Sequence, residues 1–116
     1  MKYKRLYAAP DGESHFEDVE IQMNEQRPRL FRSKDMKVIS MTFRQMGVGF
    51  ESPWHVNPGR YFSTHLEGDY ELEASDGTIF RPKPGDVYLV EDLTGKGHYG
   101  RNIGKTPVRA LVVAIE

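Results

Sequence analysis

The sequence predicts an all-β sandwich or barrel, and three observations carry that prediction. Short apolar runs alternate with Gly, Pro, Asp and Asn at close spacing, the rhythm of many short strands joined by turns. Two Asp-Gly pairs, Asp11-Gly12 and Asp76-Gly77, sit between such runs. Glycine there supplies the positive φ that tight hairpins require. Finally, no segment sustains the 3.6-residue periodicity of an amphipathic helix.

Along the chain, Asp11-Gly12 predicts a first hairpin, pairing residues near Tyr3–Ala8 with residues near His15–Met23. This arm of residues 1–24 carries Tyr7, Phe16, Val19 and Ile21. Residues 25–36 are polar and interrupted by proline, and read as a linker with room for one short helical turn. Residues 37–116 read as the body. It opens with a strand near Val38–Met46. Tyr70–Ala74 alternates Tyr, Leu and Ala with Glu71 and Glu73, a half-buried strand. Pro82-Lys83-Pro84-Gly85-Asp86 is a turn, Val87–Val90 a buried strand, and Val108–Ile115 a central closing strand.

At 116 residues the chain has the size of one domain. Its 38% hydrophobic and 28% charged composition predicts a soluble protein with a lean core. A lean core favours a homodimer, because pairing buries apolar surface that one copy leaves exposed. The formal net charge is −1, with 16 basic and 17 acidic residues. No basic stripe points to nucleic acid, and no apolar run approaches a membrane span. The basic start Met1-Lys2-Tyr3-Lys4-Arg5 leads into no apolar segment, so it does not read as a secretory signal. With no cysteine, disulfides, thiolate nucleophiles and zinc–cysteine sites are excluded. A cytoplasmic location is the expectation.

Two stretches concentrate chemistry. In the first, Gly49 is followed after five residues by His55, then Asn57, Tyr61 and, after six more residues, Gly68. In the second, Gly85 is followed after five residues by Glu91, then Asp92, His98 and Asn102. Together they resemble the two signature motifs of the cupin family. The first cupin motif places His at both the 55 and 57 positions and Glu at the 61 position. The second places Pro at the 91 position, and here the step to His98 is two residues longer. The resemblance runs from Val38 to the end of the chain. It implies the double-stranded β-helix, or jelly roll, with an N-terminal β arm that often adds to a partner's sheet.

The resemblance also implies a barrel pocket for a small molecule. Cupin pockets commonly hold iron, manganese, nickel or zinc on three His and one Glu. Carried over by position, His55 and His98 are the metal ligands here, with Asn57 or Tyr61 as weak additions. Asn57 offers only a neutral carbonyl, and a phenol must ionise from a pKa of about 10 to bind strongly. Two strong ligands fall short of the three usual in catalytic sites, so a divalent metal is optional.

Without metal, the same groups suit acid–base work. Imidazoles titrate near neutral pH, which suits His55 and His98 to proton transfer. Tyr61 can donate to a developing oxyanion. Trp54, Asn57, Arg44, Glu91 and Asp92 complete the expected set as substrate-binding groups. Arg44 binds an anion if it faces inward, and Glu91 or Asp92 orients a histidine or serves as base. Trp54 reads as a core or rim aromatic before a substrate platform, although a Trp beside a pocket can stack ligands, and His15 and His65 read as structural. His65 lies four residues beyond Tyr61, about 13 Å further along the strand. Lys96, between Gly95 and Gly97, marks either a flexible lid or a solvated loop.

One ambiguity decides the pocket. Along Tyr61–Glu67 the motif turns Tyr61, Ser63 and His65 inward, whereas hydrophobic patterning turns Phe62 and Leu66 inward. The motif is followed here, on the expectation that a second interface covers the apolar face. The expected function is a non-redox isomerase, cyclase, decarboxylase or lyase using His55, Tyr61 and His98. A non-catalytic small-ligand module and a metal-dependent dioxygenase are the alternatives.

Overall fold

Twelve strands and no helix form the protein, described over residues 1–116 in a computed structural model. In order they are β1 (Lys2–Ala8), β2 (Ser14–Glu20), β3 (Asn24–Arg27), β4 (Leu30–Arg32), β5 (Val38–Met46) and β6 (Glu51–His55). They continue with β7 (Arg60–Glu67), β8 (Tyr70–Ala74), β9 (Ile79–Phe80), β10 (Val87–Glu91), β11 (His98–Asn102) and β12 (Val108–Ile115). A six-stranded sheet runs β2-β1-β10-β7-β12-β5 and a four-stranded sheet runs β6-β11-β8-β9. No helix is long and apolar enough to cross a membrane.

Both Asp-Gly pairs form the hairpins expected of them. The first joins β1 to β2, with Gly12 at φ 87°, and the second joins β8 to β9, with Gly77 at φ 91°. The segment read as a linker is different. Asn24–Arg27 and Leu30–Arg32 pair as a two-stranded ladder of their own, reversed at Arg29 with φ 66°. Its side chains are exposed, so no hydrophobic alternation announced it.

The N-terminal arm packs on its own body: β1 runs parallel to β10 of its own chain while β2 covers its other edge. Both backbone edges of β1 are therefore used within one copy. Leu6 of β1 is 1% exposed and joins the central cluster of Tyr70, Leu72, Ala74, Tyr88, Val90 and Val108. Burying a leucine this fully contributes about 1.5–3 kcal/mol, so the arm is part of the core.

The arm settles the facing of β7. Ser63 and His65 are buried and Tyr61 packs against the core cluster, so the motif face is the inner one. Phe62 points the other way and meets Tyr3 of the arm edge-on, ring centroids 5.1 Å apart. Leu66 stays exposed on that side. Phe62 is thus covered by the chain's own arm.

Candidate functional site

A cavity of about 350 Å³ opens between the two sheets, within the range of small-molecule sites, about 300–1,000 Å³. His55, Asn57, Tyr61, His98 and Arg44 all line it. The wall is completed by Ser63, Tyr70, Tyr88 and an apolar side that includes Met46, Phe50 and Leu72.

His55 ends β6 and His98 begins β11, and the two are register partners across that ladder. Their ring centroids lie 4.5 Å apart. His55 Nδ1 is 2.7 Å from the Pro53 carbonyl oxygen, which can only accept, so Nδ1 carries the proton. His98 Nδ1 lies 2.6 Å from the Asp92 carboxylate, which fixes the same tautomer. Both Nε2 atoms are left without a protein partner, on rings that line the cavity.

Asp92 does not line the cavity. It is fully buried and meets the cavity only through its contact with His98. Its second oxygen, Oδ1, is buried with no hydrogen-bond partner. Leaving a buried carboxylate oxygen unpaired is costly. Such costs are characteristic of functional sites.

The loop joining Asp92 to His98 holds the two extra residues. It is pinned, which removes the reading of Lys96 as a flexible lid. Lys96 N donates to Gly12 O at 2.9 Å, Lys96 Nζ pairs with Glu13, and Ser14 Oγ donates to Gly97 O at 2.7 Å. The arm's turn therefore clamps the segment that delivers His98. Gly97, at φ 75°, passes so close to His55 that a Cβ would come within 2.0 Å of the His55 carbonyl oxygen.

Tyr61 faces the two imidazoles' cavity as a neutral phenol. Burial pushes its pKa well above the ordinary value, neighbouring Tyr88 and Asp92 add to the rise, and Arg44 opposes it. The Arg44 guanidinium lies over the Tyr61 ring, 5.1 Å from its centroid. Burial raises Tyr70 and Tyr88 likewise. The hydroxyls therefore serve as hydrogen-bond donors rather than phenolates.

Besides Asp92, two further expected substrate-binding groups lie outside the cavity. Trp54 is exposed outside the cavity and packs on Tyr99, centroids 6.0 Å apart, because its neighbour His55 takes the inward position on β6. Glu91 faces the outer side of β10, where it pairs with Arg5 and with Arg60, the latter at 2.7 Å. His65 is buried, its Nε2 2.6 Å from Gly68 O, and His15 pairs with Asp76 at 2.8 Å. Sequence reasoning passed over Tyr70 and Tyr88 as cavity residues, because they looked like ordinary strand aromatics, whereas Ser63 faces inward as its alternation with Tyr61 predicts.

The donor set does not fit a resident metal. The two Nε2 atoms are suitable ligands, but no three His, Asp or Glu side chains converge anywhere. Asn57 can offer only its neutral amide oxygen, its amide N–H donating to Gly59 O. Tyr61 is held neutral and Glu91 points away. Three protein ligands are the usual minimum for a catalytic ion.

Comparison with known proteins agrees with this geometry at the level of fold. A search of curated protein sequences finds no significant match. Among solved structures, a cupin domain from Bordetella pertussis superposes with TM-score 0.54 at 19% identity, covering 83% of this chain and 93% of that one. A predicted oxalate decarboxylase from Thermotoga maritima gives TM-score 0.54 at 17% identity, covering 98% and 92%. A conserved protein of unknown function from Streptococcus pyogenes gives TM-score 0.54 at 20% identity, covering 72% and 69%. The cupin domain model matches residues 42–114. That span contains the strands and both motif stretches that build the cavity, and the chain belongs to the cupin family.

Proposed function

We propose that this cupin processes a small molecule by acid–base chemistry, in the manner of an isomerase, cyclase, decarboxylase or lyase. One observation carries the reading. Two imidazoles, each with its Nδ1 proton tied back to a fixed acceptor, present free Nε2 atoms to one cavity. An Asp-held histidine is oriented to accept a proton at Nε2 and return it. His98 is the base, because its carboxylate partner stabilises the imidazolium that forms. His55 stands opposite as the second proton carrier. Tyr61, held neutral, donates a hydrogen bond to an oxyanion that develops when a proton leaves the adjacent carbon.

The test is proton exchange in deuterium oxide over a panel of small carbonyl compounds, followed by NMR. Wild-type protein should exchange a C–H that His98→Asn leaves untouched. Exchange that persists unchanged in His98→Asn would sink the reading. Binding that responds to His98→Asn with no exchange or turnover points to a ligand-binding module.

The partner reading is a homodimer. The edge strand β5 turns Ser40, Thr42 and Arg44 toward the grooves of the barrel and turns Met41 and Phe43 outward, with Ile39 exposed at the rim of one groove. An apolar outer face on an unpaired edge is a surface that soluble proteins usually cover. A second copy is the occupant proposed.

A further inference from the structure

Arg44 stands opposite buried Ala110 of β12 and borders both the main cavity and the adjoining groove lined by Ser40, Thr42 and Asn57. Its charge is unspent. Arg5, Arg60, Arg81, Arg101 and Arg109 each pair with a carboxylate, whereas Arg44 pairs with none. Its neighbour is instead the face of Tyr61. A guanidinium lying on an aromatic ring is held in orientation while its N–H groups remain able to bind a ligand.

No Asp or Glu lines the main cavity, so Arg44 is its one fixed charge. Met46, Phe50, Leu72, Ala110 and Val112 give part of the wall an apolar surface. The main cavity is lined by no lysine and no glycine, so it has neither a second fixed cation nor a glycine-rich loop of N–H groups of the sort that cradles phosphate. One guanidinium fork matches one carboxylate.

We infer that the substrate is a small carboxylic acid with an apolar body, whose carboxylate is seated by Arg44 at the cavity rim while its reacting carbon lies toward His55 and His98. Arg44 is then the specificity-determining residue, and Tyr61 acts both as its platform and as a donor inside the cavity. This inference rests on the acid–base reading of the same cavity and names its substrate class.

Binding of benzoate, phenylacetate and hexanoate, measured by titration calorimetry against the matched amides and inorganic phosphate, tests it. At least one acid should bind wild-type protein, with its amide about tenfold weaker or more. Arg44→Gln should bring the acid down to the amide level, and Arg44→Lys should recover part of the difference. Thermal melts of both variants confirm that the edge position tolerates them. Equal binding of acid and amide, unaffected by Arg44→Gln, overturns the carboxylate inference. In that outcome, proton exchange lost in His98→Asn still upholds the acid–base reading. Phosphate binding as tightly as the acids overturns the choice of carboxylate. If no probe binds and no C–H exchanges, both the inference and the reading fall.

Discussion

His55 and His98 stand opposite each other across the β6–β11 ladder, ring centroids 4.5 Å apart, and each gives its Nδ1 proton to a different acceptor. For His55 the acceptor is a backbone carbonyl, which no side-chain substitution removes. For His98 it is Asp92, which can be changed. Asp92→Asn offers an amide that can turn its NH₂ toward Nδ1 and drive the proton to Nε2. Turnover should then fall about 10²–10⁴-fold. Imidazole ¹⁵N shifts should report the tautomer change at His98 and none at His55. Lost turnover with an unchanged His98 tautomer would refute the positioning role.

The metal shortfall predicts a gain of function. Wild-type protein, purified and exposed to zinc, iron, manganese or nickel, should retain less than one ion per chain by elemental analysis. The missing strong ligands are at Asn57 and Tyr61, beside two imidazoles already presenting Nε2. Asn57→His with Tyr61→Glu should restore four donors of the kind these ions prefer and give near-stoichiometric metal. Replacing His98 by Ala in that variant should lose it again. Stoichiometric, His98-dependent metal in the wild type would show that the donor count misjudges the site.

Most of this architecture was legible because cupin spacing and strand alternation are both local signals. His55, Tyr61 and His98 fall in the cavity because the motif frame fixes which face each strand turns inward. What stayed hidden depends on contacts distant in sequence. Glu91 looked like a pocket carboxylate, but on the outer face of β10 it pairs with Arg5, 86 residues away, and with Arg60. Asp92, one residue on, takes the inner side by alternation alone. The β3–β4 ladder was illegible for another reason. With all its side chains exposed, its stretch carried no period to read.

Gly97 should tolerate no side chain. At φ 75°, with its Cβ position 2.0 Å from the His55 carbonyl oxygen, Gly97→Ala forces apart the two strands that carry the histidines. Backbone strain of this kind costs about 1–3 kcal/mol before the clash is counted. Urea unfolding should show that loss, and turnover should fall with it. Gly77→Ala has a similar φ, 91°, but meets nothing within 4 Å. It serves as the control, paying only the strain and leaving turnover intact. Equal effects of the two on stability would remove the steric argument.

Glu91 predicts an acid-side weakness. Burial alone would raise its pKa, but hydrogen bonds and charge from Arg5 and Arg60 outweigh that and hold it below the ordinary range. A carboxyl depressed on folding stabilises the protein fully above its unfolded pKa, about 4.3, and less as pH falls through the folded value. Both arginines are partly exposed, so the contribution at neutral pH is about 1 kcal/mol. Unfolding free energies from urea titration of wild type and Glu91→Gln should differ by that amount at neutral pH and converge as pH falls below the folded pKa. A difference that stays constant across this range would mean that the pairing is not what Glu91 contributes.

The outer face of β5 predicts how copies associate. Met41 and Phe43 are 56% and 75% exposed on consecutive outward positions and Ile39 is 66% exposed at a groove rim, while Ser40, Thr42 and Arg44 on the groove side are polar. The alternation is the reverse of that on a strand whose outer face meets water. It is explained if the inner face lines a wet cavity and the outer face is covered by another copy. Phe43→Glu should convert a dimer to a monomer in sedimentation velocity, since two-fold pairing places the new charges on both sides of one apolar interface. Phe43 lines no part of the main cavity, so turnover per chain should hold unless the partner completes the site. A wild-type protein that sediments as a monomer, or a Phe43→Glu variant that remains dimeric, would move the interface elsewhere and leave the apolar stripe unexplained.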